Sequence, residues 1–205
     1  MTTFPADDPD KVPFAGILPA AVKPFVLGNG EGEKSLVFDQ LFSILLSADE
    51  TDDQYGAFTM VGPKGDRIPA HKHFKTHEIF YVVDGEISIW MDDEADYHSK
   101  NTLTTGDFAF IPANVVHAFQ IHNTTKVFGV GTAGFERFFH AMGKQTDLTA
   151  PQGIYVPDYP TMRAAGEKSL VFDQLFSILL SADETDDQYG AFTMVGPKGD
   201  RIPAH

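Results

Sequence analysis

The stretch PAHKHFKTHE, residues 69–78, places three histidines and a glutamate within ten residues. Read as a strand, it projects His71 and His73 to one face, because alternate side chains share a side and their Cα atoms stand about 6.5–7 Å apart. Two imidazoles at that spacing can converge on one ion. Glu78 opens the apolar run EIFYVV, whose alternation groups Glu78, Phe80 and Val82 on one face. His117 opens HAFQI and groups in the same way with Phe119 and Ile121. Three imidazoles, one carboxylate and a floor of aromatic rings match a divalent transition metal with room for exogenous oxygen ligands. Any one of the eight histidines taken alone reads as well as a surface or hydrogen-bonded core residue, so the chemistry rests on the set. His77 points to the face opposite Glu78, which suits a surface or outer supporting role better than ligation.

The elements that must position this set read as mostly β. SLVFDQLFSILLS, AFTMV, EIFYVV, EISIWM, DFAFIP, HAFQIHN and KVFGVGT are short runs rich in β-branched and aromatic residues, cut by Gly, Pro, Asp or Asn. Asp84-Gly85 between two of them predicts a hairpin. Regular short strands of this kind predict a sandwich or small barrel. One helix is expected in FERFFHAMG, where Phe135, Phe138, Phe139 and Met142 recur at helical spacing and Gly143 marks a stop. Residues 144–165, with three prolines, read as an extended surface segment leading to a linker.

Fifteen basic against 29 acidic residues give a formal charge of −14, which repels phosphate backbones and anionic membrane surfaces. Nucleic acid and membrane are therefore not expected partners. Without cysteine there is no disulfide framework or thiolate, and a metal must be held by imidazole and carboxylate. The first residues lack a basic stretch followed by an apolar one, so a cytoplasmic protein is the expectation. The Asn123-Thr-Thr sequon reads as accidental in that setting. GNGEGE at 28–33 reads as a flexible turn, because its two glutamates would repel phosphate. ADETDDQ and MDDEAD fit no calcium loop and read as solvated hairpin tips.

Two segments carry a family resemblance. GDRIPAHKHFKTHEIFYVVDG, residues 65–85, has the glycine, His-x-His, glutamate and closing glycine of the first cupin motif. GDFAFIPANVVHAF and the two residues after it, 106–121, resemble the second, departing from it at Asn114, where Gly is usual, and at Ile121, where Asn is usual. The flanks AFTMVGPKGDRIPAH, PANVVHAFQI and GFERFFHAMG are similar to the quercetinase group of cupins over roughly residues 20–160. The resemblance implies an all-β cupin fold, a double-stranded β-helix or jelly-roll barrel, with a C-terminal helix. It implies one divalent metal (iron, copper, nickel, manganese or cobalt) held by His71, His73, Glu78 and His117. Glu78 would also be the catalytic base that takes the 3-hydroxyl proton of a flavonol such as quercetin, before dioxygen opens the central ring with loss of carbon monoxide. Phe80, Phe119 and Phe135 match positions of the flavonol pocket, although ordinary barrel packing explains them as well. A homodimer is the assembly the resemblance suggests.

Residues 32–71 recur without a change at 166–205, so identical that a recent partial duplication is implied. The expected organisation is a cupin domain over 1–160 and an incomplete repeat over 161–205. The second copy ends at His205, the equivalent of His71, and cannot build a site of its own. Since cupin folds host many chemistries, two alternatives stand beside the flavonol dioxygenase: a cupin enzyme for another small aromatic substrate, and a non-catalytic binding or sensor protein.

Overall fold

A computed structural model describes residues 17–93 and 96–157. The eleven described strands are β1 Glu33–Val37, β2 Gln40–Leu46, β3 Tyr55–Gly62, β4 Ile68–His71, β5 Glu78–Asp84, β6 Glu86–Asp93, β7 Asp96–Thr104, β8 Phe108–Ile111, β9 His117–Ile121, β10 Thr125–Thr132 and β11 Lys144–Gln145. The described helix is α1, Glu136–Met142, too short to cross a membrane. The strands form a seven-stranded sheet in the order β11-β1-β2-β3-β10-β5-β8 and a four-stranded sheet in the order β4-β9-β6-β7, with all pairings antiparallel. This is the jelly-roll architecture expected of the sequence.

The alternation of the strands decides what fills the space between the sheets. In β5, Glu78, Phe80 and Val82 are buried while Tyr81 and Val83 are exposed. In β10, Val127 is buried at the inward position, and Gly129 and Gly131 take the next two. A Cβ at Gly129 would stand 2.3 Å from the Phe58 ring, and one at Gly131 would stand 2.7 Å from Phe135. Those glycines give two rings their seats. Helix α1 closes the barrel with Phe138, Phe139 and Met142, and Phe139 stacks on Phe42 with centroids 3.9 Å apart. Each such side chain contributes about 1.5–3 kcal/mol on full burial. Gly143 ends the helix in extended geometry rather than a left-handed turn. It is glycine because a Cβ there would meet the Phe139 carbonyl and Ser35 at 2.6 and 2.7 Å.

Three expectations change. Asp84-Gly85 does not form a hairpin, since β5 and β6 belong to different sheets. Gly85, at φ 98°, is instead the corner where the chain crosses over, and the N–H of Glu86 just beyond it donates to Asn123 Oδ1 and Thr125 Oγ1, both at 3.0 Å. Asn123 is thus a fastening of that corner. Residues 144–157 are the largely exposed segment expected, tied to the barrel where β11 pairs with β1 and Tyr155 exchanges backbone hydrogen bonds with Phe38 at 2.8 and 2.9 Å. SLVFDQLFSILLS is two strands, turned at Phe38 with φ 53°. ADETDDQ is a 3₁₀ turn between β2 and β3 with solvated acids, but its Glu50 is buried and caps the turn through Ser47. The repeat at 166–205 lies outside the described residues.

Candidate metal centre

The three histidines come from two places. Strand β4 ends at His71, which stands directly opposite His117, the first residue of β9. Their ring centroids are 4.3 Å apart. His73 lies beyond the end of β4, not on it, so the expected same-strand alternation is replaced by a loop that still brings its ring to 5.1 Å from His71 and 5.2 Å from His117. That loop is fastened from both sides. The Asn114 N–H donates to the His73 carbonyl at 2.7 Å and its side-chain amide to the Phe74 carbonyl at 3.2 Å. Across the barrel, Thr132 Oγ1 accepts the His77 N–H at 2.9 Å, and Thr76 Oγ1 donates to the Thr132 carbonyl at 3.3 Å.

The result is a group in which one ring nitrogen from each of His71, His73 and His117 lies within 4.8 Å of the others. His73 and His117 are each 2% exposed. Glu78, the first residue of β5 and equally buried, places Oε2 3.3 Å from His73 Nε2 and 3.0 Å from His117 Nε2. His117 Nδ1 donates to the Val115 carbonyl at 3.0 Å, which fixes the ring so that Nε2 is the atom presented inward. Burial on its own would raise the Glu78 carboxyl, but the adjacent His73 and His117 outweigh it and hold the group well below the usual carboxylate range. Burial disfavours a charged His117, yet its bond to Glu78 and the Val115 carbonyl raise it above the usual imidazole value. Three converging imidazoles, two buried and that of His71 half-buried, beside one ionised carboxylate are a donor set suited to a divalent transition metal. His77, in contrast, is exposed, stacks on Phe110 and accepts the Ala113 N–H on Nδ1.

The face formed by the three histidines and Glu78 opens onto a cavity of about 80 Å³. Phe80, Phe119 and Phe135 all line it: Phe80 and Phe119 meet edge to face with centroids 6.2 Å apart, and Phe135 stands edge-on to His73 at 4.7 Å. Sequence reading missed the lining supplied by Phe38, Gln40 and Phe42 of the β1–β2 hairpin. The available signal was Gln40 itself, the polar residue of the inward row Gln40, Phe42, Ile44.

Residues 57–128 match the family model described as the cupin domain. The chain is 39% identical over 128 residues to quercetin 2,3-dioxygenase of Bacillus subtilis (strain 168), covering 62% of this chain and 36% of that protein. It is 30% identical over 140 residues to the Aspergillus japonicus protein of the same name, covering 64% and 39%. It therefore spans less than two fifths of the length of either curated relative. Among solved structures, KdgF from Halomonas sp. matches with 19% identity and a TM-score of 0.45, covering 54% of this chain and 94% of that one. An RmlC-like cupin from Shewanella frigidimarina NCIMB 400 matches with 19% identity and a TM-score of 0.47, covering 57% and 96%. Residues 57–128 thus match the cupin domain, within a two-sheet barrel that carries both motifs, and the chain resembles the two curated proteins named quercetin 2,3-dioxygenase.

Proposed function

We propose that the protein is a metal-dependent dioxygenase that opens the central ring of a flavonol. The observation that carries this reading is the position of three histidines and Glu78 at the end of an aromatic-lined cavity, in a chain similar to proteins named for that reaction. His71, His73, His117 and Glu78 would hold the metal. When bound, a transition metal there supplies Lewis acidity toward a substrate oxygen and an electron path to dioxygen. Glu78 is ionised at neutral pH, so Oε2 can receive the proton of the flavonol 3-hydroxyl. A carboxylate stabilised this strongly is a weak base, so the transfer depends on the hydroxyl being acidified at the same point. Phe80, Phe119 and Phe135 would flank the flat rings and keep water from the reacting carbons.

The cavity size favours a second reading. Sites that enclose drug-sized ligands run to about 300–1,000 Å³, against about 80 Å³ here. A flavonol enters only if the ring wall turns aside, whereas a single-ring phenol asks for less movement. The two readings separate in one experiment on the metal-reconstituted full chain, following dioxygen uptake, carbon monoxide and the flavonol visible band. Quercetin consumption with carbon monoxide release, lost in Glu78→Gln, is the expected result. Uptake with catechol but not quercetin would transfer the activity to smaller substrates. No uptake with any of the five metals would overturn the enzymatic assignment.

A further inference from the structure

The cavity lining supplied by the β1–β2 hairpin contains one group whose chemistry no described contact uses. Gln40 begins β2 on its inward side, in the row that continues with Phe42 and Ile44, and is 5% exposed. It pairs through its backbone with Val37 and packs its stem over Gly62, where a Cβ would stand 3.1 Å from Gln40 Cγ. Its side chain lines the cavity, and no described residue hydrogen-bonds its amide. Among the described residues, apart from the three histidines and Glu78, every other side chain lining that cavity is a hydrocarbon, aromatic or thioether group. Such an exception in an otherwise consistent strand belongs where a ligand completes the pairing.

We infer that Gln40 is a specificity-determining contact, which hydrogen-bonds an oxygen substituent of the substrate remote from the atoms that meet the histidines. An amide offers both a donor and an acceptor, so it suits a phenolic hydroxyl, which can answer either. The site therefore selects aromatic compounds with two separated oxygen functions, one for the metal-ligating face and one for Gln40. The inference deepens the proposed function and rests on that reading for the flavonol itself, but not for the phenolic contact.

Two measurements test it, both on the full chain loaded with zinc, which carries no redox chemistry. Gln40→Met keeps the volume and removes the amide. Without ligand it should leave Tm unchanged or higher, because no described residue pairs with the amide; a fall would mean that the amide has a structural partner, and would overturn the inference. In titrations, wild type should prefer hydroquinone over phenol and quercetin over 3-hydroxyflavone, and Gln40→Met should reduce each preference by about tenfold. Equal weakening for both members of the hydroquinone–phenol pair, or no binding of either, would overturn it. Loss of only the flavonol pair, with the hydroquinone pair intact, would count against the flavonol reading and leave the Gln40 contact supported.

Discussion

Asn114 stands at φ 70°, the left-handed region that favours glycine and that Asn tolerates better than most residues. Its departure from the usual motif residue is therefore conformationally neutral, and its side chain adds a bond that helps hold the His73 loop. At this scale the grouping of His71, His73, His117 and Glu78 was legible because His-x-His, the glutamate and the second motif fix identity and spacing. That His73 lies beyond the strand was not legible, since the end of β4 depends on its partner β9 rather than on its own residues. The coupled charges of Glu78 and His117 give the metal-free chain a pH signature. Glu78 is depressed, so its stabilisation is present above its ordinary value of 4.5 and is lost as pH falls through the lowered one. His117 is raised, so its contribution is present below 6.5 and is lost as pH rises through the raised value. The difference in Tm between metal-free wild type and Glu78→Gln should be largest between about pH 4.5 and 6.5. A difference that does not change with pH would contradict the coupling.

Among the elements, β10 shows where alternation is silent. KVFGVGT reads as a strand from its β-branched and aromatic residues, but nothing local explains glycine at two successive inward positions. The reason lies across the sheet and on the helix, in the rings of Phe58 and Phe135. Gly129→Ala should cost roughly 1–3 kcal/mol, measured as a lower denaturant midpoint with unchanged slope, because the added methyl meets Phe58. An unchanged midpoint would show that Phe58 moves aside freely. The corner at Gly85 teaches a related point. Asp-Gly correctly signals a positive φ, but the signal contains nothing about whether the next strand pairs with the last one or leaves for the other sheet. Similarly, the prolines of 144–165 signalled an extended surface segment, but not that Phe38 and β1 supply partners for its backbone.

For the whole molecule, both candidate motifs, the described lining of the cavity and the helix that closes it fall within residues 17–157. Removal of residues 166–205 should leave metal content and the Tm of the metal-loaded protein unchanged; loss of either would assign the repeat a part in the site. The barrel was legible from composition and strand spacing, and the cavity size was not, since volume depends on how rings from β2, β5, β9 and α1 meet. The most direct test is titration of the metal-free full chain with cobalt(II), followed by its visible spectrum, beside His73→Ala and His117→Ala. Wild type should bind one equivalent per chain in the buried group. Each variant should lose more affinity than the roughly 10–100-fold typical of removing an outer supporting residue. Equal affinity and an identical spectrum in the variants would contradict a metal centre built from these side chains.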